Sequence, residues 1–168
     1  MKEKIEKAGE SDLPEILEVY KEARAFMAAN GNPSQWGLSG YPKEELLRED
    51  IALSRLYVLR RGGRIAAAFV IAEGEEPTYS VIEDGAWPNG KAYLTIHRLG
   101  SRTRERGAAK AAIDFCGELA KSRGEDVRAD THADNAPMRH ILEKYGFCYC
   151  GIIYVRDGSK RLAYQLEL

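Results

Sequence analysis

The period of the apolar positions changes several times along the chain, and each change marks an element. KIEKAG, near the N-terminus, alternates and reads as a first strand. Leu13, Ile16, Leu17, Tyr20, Ala23, Arg24 and Met27 then recur at spacings of three and four, one face of a helix running to about Ala29. Ser11 or Asp12 stands where an N-cap is needed, and Pro14 is tolerated in the first turn. NGNPSQWGLSGYP is loop by composition, and Pro42 opens a second helix through EELLREDIALSR. RLYVLRRGGRIAAAFVIAE is a hairpin, two β-rich runs around Gly62-Gly63. PTYSVIEDGAWPNGK reads mostly as connection, and KAYLTIHRLG as a strand. From Gly107 to Arg123 a helix places Ala108, Ala111, Ala112, Phe115, Cys116 and Leu119 on one face. EDVRADTH is a strand. NAPMRHILEKYG is a short helix with Met138, Ile141, Leu142 and Tyr145 inward and Gly146 just past its end. FCYCGIIYV and KRLAYQLEL close the chain as a hairpin around Asp157-Gly158.

The order is β-α-α-β-β-β-α-β-α-β-β. The strand–helix alternation in the second half requires some parallel pairing, and the two hairpins make the rest antiparallel. The expected fold is α/β: a mixed, mostly antiparallel central sheet flanked by helices on both faces. The 168 residues are read as one domain, 1–168, long enough to bury a core. RERGAAK lacks the G-x-G-x-x-G pattern, which excludes a doubly wound dinucleotide fold.

Charge narrows the partners. Charged residues are 30% of the chain but the net charge is −1, so no global basic field argues for nucleic acid or an anionic membrane. No apolar run approaches the roughly 18 residues of a membrane span. MKEKIEKAGE carries no signal-peptide core. Three cysteines, Cys116, Cys148 and Cys150, make a poor disulfide framework and have the wrong spacing for zinc. They read as reduced core thiols in a cytoplasmic protein without a metal.

The stretch RERGAAKAA, residues 104 to 112, raises the question of function. It follows a strand and opens a helix, with Arg98, Arg102, Arg104 and Arg106 close by. A helix N-terminus leaves its first N–H groups unpaired and favours an anion. Gly107, Ala108 and Ala109 allow a phosphorylated ligand close to the backbone. The alternative is a solvated arginine-rich loop before a packed alanine helix.

Arg104-x-x-Gly107-x-Ala109 resembles the pyrophosphate-binding signature of the GNAT superfamily of acetyl-CoA-dependent N-acetyltransferases. The second signature of that family, a strand, an Asn, a short helix and Gly-Phe, is matched by DTHADNAPMRHILEKYGF. The element order matches the GNAT fold over essentially the whole chain. IHRLGS, RADTHADNAPM and YGFCYCGIIYVRDGSKRLAY resemble a bacterial subgroup of the family. The loop departs from the family pattern in its length and in Ala109, which stands where a second glycine is usual. The resemblance implies acetyl-CoA as co-substrate, its pantetheine arm inserted where the fourth and fifth strands splay. Its amides would bond around Leu99 and Ser101, its pyrophosphate would sit on the amides of Arg104 to Lys110, with Arg106, Gly107, Ala108 and Ala109 between, and Asn135 would lie beside the arm. The family also allows a homodimer.

Acetyl transfer to an amine needs a neutral nucleophile and a group to take its proton. Alternation puts Tyr93, Thr95, His97 and Leu99 on one strand face, which in the resembling family looks into the acceptor site. His97 is the candidate base, since an unperturbed histidine titrates near about 6.5. It is equally open to a structural role. The family's usual acid, a tyrosine four residues before the Gly of Gly-Phe, is Leu142 here. Tyr145 is the substitute candidate, or else core. Asp130, at the end of the fifth strand, is a candidate to orient an ammonium group. Trp36 and Tyr41 would line an acceptor pocket, with Tyr79 and Trp87 from the other side, unless they simply pack.

Three functions remain open from the sequence. The leading one is an N-acetyltransferase acting on a primary amine of a small molecule or peptide. The second is a non-catalytic acyl-CoA-binding sensor of the same fold. The third is a generic nucleotide-phosphate-binding protein.

Overall fold

The computed structural model describes residues 2–36 and 40–168. The elements are β1 (Glu3–Lys7), α1 (Leu13–Ala29), α2 (Glu44–Ala52), β2 (Leu56–Arg61), β3 (Arg64–Ala72), β4 (Tyr93–Ser101), α3 (Ala108–Ser122), β5 (Asp126–Thr131), α4 (Ala136–Lys144), β6 (Cys148–Tyr154) and β7 (Lys160–Leu166). They follow the order that the periodicity predicts. The strands form one seven-stranded sheet in the order β1-β2-β3-β4-β5-β7-β6. The β1–β2, β2–β3, β5–β7 and β6–β7 pairs are antiparallel and β4–β5 is parallel, so the sheet is mixed and mostly antiparallel. Among the described residues no helix is long and apolar enough to cross a membrane.

The chain forms two compact units, Met1–Ile71 with Arg98–Phe115, and Ala72–His97 with Cys116–Leu168. The division falls inside β4, between His97 and Arg98, and inside α3, between Phe115 and Cys116.

The first unit is built on the buried stripe of α1. Leu13, Ile16, Val19, Tyr20 and Ala23 pack with Leu47 and Ile51 of α2 and with Val58, Ile65, Ala68 and Val70 of β2 and β3. Each fully buried aliphatic side chain here contributes on the order of 2 kcal/mol. Pro14 does lie in the first turn of α1 and Asp12 is its N-cap residue. The Asp12 carboxylate makes no cap bond, however; it accepts the Gly9 N–H at 2.9 Å and the Arg60 guanidinium at 2.7 Å. The second helix begins at Glu44 rather than Pro42. Residues 37–39 of the expected loop lie outside the described residues.

Asp50, fully buried on α2, is the polar centre of this unit. It accepts Arg98 Nε at 3.0 Å and Nη2 at 2.9 Å. It also accepts Arg55 Nε at 2.6 Å. The Tyr20 hydroxyl donates to the Arg98 carbonyl at 2.7 Å. With both its side chain and its carbonyl held, Arg98 adopts a φ of 50° in the middle of β4. A bulky residue persists in that region only where its surroundings impose it. The alternation that joins Tyr93, Thr95 and His97 is therefore interrupted before Leu99, and the expected four-residue face is corrected to three. Two residues on, a Cβ at Gly100 would lie 3.0 and 3.1 Å from the Tyr20 ring, a contact that a larger residue could make only if the ring gave way by a few tenths of an ångström.

The second unit is built on the β5–β7–β6 ladder, with Tyr79, Tyr93, Ile153 and Ala163 in its core. The Arg128 guanidinium lies 3.9 Å from the Trp87 ring centre and 4.0 Å from that of Tyr93. Asp126, also fully buried, gathers Lys91 Nζ at 2.8 Å, Asn89 Nδ2 at 2.9 Å, Gln165 Nε2 at 2.8 Å and the Leu168 N–H at 3.0 Å. The connection before β4 contains one 3-10 turn, Pro77–Tyr79. α4 ends as expected: Gly146 takes a φ of 95°, and the Phe147 N–H reaches back to the Leu142 carbonyl at 2.9 Å. Cys116 and Cys150 are buried, but Cys148 is exposed, which corrects its reading as a core thiol. No group of metal-ligating side chains occurs among the described residues.

Two stability predictions follow from the buried carboxylates. Asp50→Ala strands two guanidinium groups and should cost about 3–5 kcal/mol by denaturant titration; a cost under about 1 kcal/mol would mean that Arg98 is held by other means. At Asp126, burial opposes the charge, but Lys91, Asn89, the Leu168 N–H and Gln165 outweigh it and pull the carboxyl from 3.8 to about 2. A depressed folded value stabilises the fold above the unfolded one and loses that stabilisation as pH falls. Stability should drop between pH 3.8 and about 2, and Asp126→Asn should flatten that part of the profile. An unchanged slope in the variant would assign the acid loss to other groups.

Candidate functional site

The loop Ser101–Gly107 and the start of α3 belong to the first unit. Of the four arginines near it, two are committed to internal partners. Arg98 pairs with Asp50. Arg102, 7% exposed, donates from Nε to the Ile65 carbonyl at 2.8 Å and faces Glu22 and Glu18 at 3.3 and 3.5 Å. The positive charge read from the sequence is thus halved, and Arg104 and Arg106 are the arginines left at the surface. Arg61 braces the loop by donating to the Arg106 carbonyl at 2.7 Å and to Glu105 at 3.3 Å. The Thr103 N–H is fixed on Glu22 at 2.9 Å.

Within the loop, the Arg106 N–H turns to the Arg104 carbonyl at 3.2 Å and the Ala108 N–H to that of Glu105 at 3.3 Å. Gly107 has a φ of 73°, and a Cβ there would meet nothing nearer than Arg61 Nη2 at 3.9 Å. The glycine serves the backbone conformation and leaves open space above the helix end. At the start of α3 the Ala111 N–H reaches back to the Gly107 carbonyl at 3.0 Å. Lys110 also pairs with Asp114 on the same face. An open helix end, two surface arginines and a braced turn suit a phosphate group.

Leu99 and Ser101 are half-buried on the same unit's part of β4. The parallel β4–β5 ladder covers only Tyr93–Asp126, Leu94–Val127 and Thr95–Arg128. Both strands continue past it, β5 pairing on with β7 as far as Thr131. Asn135 lies in the second unit as the N-cap of α4, its side chain accepting the Met138 N–H at 3.2 Å.

His97, two residues past the end of the ladder, has its Nε2 3.1 Å from Glu76 Oε2. Glu76 is itself held. Its Oε1 accepts the Thr78 hydroxyl at 3.1 Å and the Thr78 N–H at 3.4 Å, and its own N–H donates to the Tyr93 hydroxyl at 2.9 Å. The hydrogen bond from His97 holds the Glu76 carboxyl down at about 2, against the effect of burial. Asp130 lies in the same electrostatic group and accepts the Tyr79 hydroxyl at 2.7 Å. Burial raises the Asp130 carboxyl; Tyr79, His97 and Arg161 pull it back in part. Burial, followed by Asp130, lifts the Tyr79 phenol well above 10.0. Thr95, fully buried and two residues before His97, has a hydroxyl with no partner among the described residues.

The remaining candidates are placed differently from one another. Tyr145 is the C-cap residue of α4, half-buried, while Leu142 is 2% exposed and part of the interior. Trp36, 8% exposed, packs edge-on against Tyr20 at 5.6 Å and near Tyr41 at 6.4 Å. One side of it faces a pocket of about 290 Å³ that Arg24, Met27, Asn32 and Pro33 also line. Tyr79, expected on a pocket wall, is 3% exposed and packs in the core of the second unit. Trp87 packs on Tyr79 at 5.1 Å, donates to the Tyr79 carbonyl at 2.9 Å and covers Arg128. Glu76 and Arg61 were not singled out by the sequence. Glu76 is 21 residues from His97, between the hairpin and the connection read from the sequence, and no local pattern joins them. Arg61 closes a hairpin strand, where an arginine is ordinary.

No protein-family model and no curated protein sequence matches the chain. Solved structures do. A GNAT-family acetyltransferase from Streptococcus agalactiae is 31% identical, with a TM-score of 0.84 over 99% of this chain and 95% of that one. A protein from Staphylococcus aureus described as an acetyltransferase is 29% identical, with a TM-score of 0.71 over 96% of each chain. A NatC complex bound to a Gag peptide and CoA shares the fold at 14% identity, with a TM-score of 0.66 over 100% of this chain and 99% of that one. The first of these likenesses spans nearly both chains at an identity that fold resemblance alone does not require, and it agrees with the Arg104-x-x-Gly107-x-Ala109 loop: the chain belongs to the GNAT family of acetyltransferases.

Proposed function

We propose that the chain transfers an acetyl group from acetyl-CoA to a primary amine of a small molecule or peptide, with His97 as the base. The observation that carries this reading is the Glu76–His97 pair, set two residues past the point where the β4–β5 ladder stops. An imidazole held by a carboxylate is suited to take a proton, and strands that cease to pair leave backbone groups for a strand-like ligand arm. Arg104, Arg106 and the open backbone at Gly107, where α3 begins, would hold the pyrophosphate of the donor. Leu99 and Ser101 would offer backbone groups to its pantetheine arm, and Asn135 would lie beside it.

The acceptor arrives as an ammonium ion. Glu76, an anion down to about pH 2, and Asp130 favour a cation near His97. His97 takes one proton from the ammonium nitrogen, freeing its electron pair. That pair forms the C–N bond to the thioester carbonyl. The C–S bond breaks with its electrons on sulfur, and the amide nitrogen gives up a second proton, which the thiolate accepts. His97 then returns its proton to water. The balance is one ammonium and one thioester in, one amide, one thiol and one proton out. Leu142 offers no acid where the family commonly has a tyrosine, and this favours a second reading, a sensor that binds acyl-CoA without turnover. Release of free thiol with any amine in an acceptor panel separates the two.

The donor is tested by binding. CoA should raise the melting temperature, by about 2.7 kcal/mol of stabilisation at a hundredfold excess over Kd. Pantetheine without the pyrophosphate should not. No heat and no shift with millimolar CoA would end this reading.

Gly107→Glu puts a carboxylate where the phosphates would lie, on a backbone that disfavours any side chain. It should abolish CoA binding and lower stability by about 1–2 kcal/mol without unfolding the protein. Undiminished CoA affinity would place the phosphate elsewhere.

His97→Gln keeps a hydrogen-bonding side chain but cannot take the proton. It should slow turnover by roughly tenfold to a thousandfold, leave CoA affinity unchanged and remove the acidic limb of the pH–rate profile. Full turnover with the same limb would make His97 structural.

A further inference from the structure

We propose that Glu76 is the positioning residue of His97: its carboxylate holds the Nε2 proton, so that Nδ1 is the nitrogen that accepts the proton of the acceptor. This inference rests on the reading of His97 as the base.

The argument begins with donors and acceptors. An ionised carboxylate can only accept a hydrogen bond. Neutral imidazole has one N–H and one bare nitrogen, and a partner that can only accept selects which is which. With Nε2 3.1 Å from Glu76 Oε2, the N–H is at Nε2 and the lone pair is at Nδ1. Glu76 remains ionised at every pH at which the protein would work, since its carboxyl is held at about 2. The tautomer is therefore fixed by chemistry rather than chosen by substrate.

The partner is also fixed in place. Thr78 binds the second carboxylate oxygen through both hydroxyl and N–H, and the Tyr93 hydroxyl receives the Glu76 N–H. Pro77 follows directly and opens the 3-10 turn, so the backbone beside Glu76 has little freedom. This is more support than a surface ion pair commonly has. Protonation of Nδ1 leaves the Nε2–H bond unchanged, so the imidazolium forms without rearrangement of its partner.

The other charged and titratable groups of this cluster come from three strands and from the 3-10 turn that carries Tyr79. Asp130 on β5 acts on His97 and carries the Tyr79 hydroxyl; Arg161 on β7 acts on Asp130; Tyr93 on β4 completes the set. Of these, only Glu76 is hydrogen-bonded to the ring. Asp130, whose Oδ2 accepts the Tyr79 hydroxyl at 2.7 Å, acts on His97 through its charge and not through a hydrogen bond, which leaves the tautomer to Glu76. In the sequence this pairing has no signature, because the two residues are brought together by the connection between β3 and β4.

The test reads the ring directly. Two-bond nitrogen–proton spectra of the protein labelled with 15N-histidine report the tautomer of His97 without any ligand, with His97→Gln as the assignment control. The expected wild-type spectrum shows Nε2 protonated and Nδ1 bare. Glu76→Ala should mix the tautomers and lower kcat by roughly tenfold to a hundredfold, the size seen when the outer partners of metal-bound histidines are removed. Acceptor KM should change less than kcat, and CoA affinity should hold. Glu76→Gln, which can present its carbonyl oxygen to Nε2 and to Thr78 only in part, should recover some of the rate lost in Glu76→Ala.

A wild-type ring protonated at Nδ1 overturns the proposal without any variant, so a misfolded Glu76→Ala does not shield it. A Glu76→Ala protein with the wild-type tautomer and full kcat overturns it as well, while a slow His97→Gln would leave the base reading intact. If His97→Gln turns over at the full rate, the base reading itself falls, and the positioning role falls with it.

Discussion

Asp50 is the constraint on which the course of β4 depends. A carboxylate with no exposure to water must have its charge met inside the protein, and here two guanidinium groups meet it. Removing water from three charged groups is costly, so such a cluster contributes less to net stability than to geometry. Its geometric product is the left-handed Arg98, held by Asp50 at its side chain and by Tyr20 at its carbonyl. A strand that would otherwise alternate without interruption is reset at the residue after His97. The side chains up to His97 and those from Leu99 onward are thereby set by different local constraints.

The distribution of charge follows the same logic. The sequence presents four arginines near the phosphate loop, and counting them suggests one continuous basic patch. Two of them instead satisfy carboxylates from α1 and α2, at Glu18, Glu22 and Asp50. What stays at the surface is a smaller positive group at the end of α3, braced by Arg61. In the second unit the balance reverses. Glu76 and Asp130 accompany His97, and the nearest basic residue in that group, Arg161, acts on Asp130. On the proposed reading, the Glu76 carboxylate on the imidazole would suit a cationic acceptor better than an anionic one.

The architecture was legible in the sequence because it rests on periodicity. Every strand and helix is where the sequence pattern puts it, apart from up to three residues at the ends. The family was legible because Arg104, Gly107 and Ala109 lie within six residues, and a local motif survives intact in a linear text. The site was legible only in its local parts. His97 stands out by position on β4, but its parity with Leu99 fails at Arg98, since nothing near Arg98 in the sequence announces a positive φ. That φ is imposed by Asp50 and Tyr20, 48 and 78 residues away. Glu76 was missed for the same reason: the segment PTY that follows it looks like an ordinary turn, and its partner is on another element. The burial of Tyr79 was not legible, because an aromatic in a connection carries no mark of whether it is covered, and the Asp130 side chain that receives its hydroxyl is 51 residues on.

With Leu142 where the family commonly has a tyrosine, the proposed reaction raises the question of how the departing thiolate is protonated, and two of the buried tyrosines are poor sources. Tyr79 already donates to Asp130, and its phenol is held well above 10.0 by burial and that neighbouring charge. A thiol has a pKa of about 8.5, so proton transfer from such a phenol to a thiolate runs uphill. Tyr20 is equally committed, to the Arg98 carbonyl, and burial raises it too. The nitrogen that has attacked the thioester is a better source. Once bonded to the carbonyl carbon it carries a positive charge and a proton far more acidic than a thiol. Transfer from that nitrogen to sulfur is downhill without any side chain, so a leucine in place of the acid is compatible with turnover. On the proposed reading, the demand on the protein then falls on the first proton, the one that keeps the amine from attacking, which His97 held by Glu76 would take.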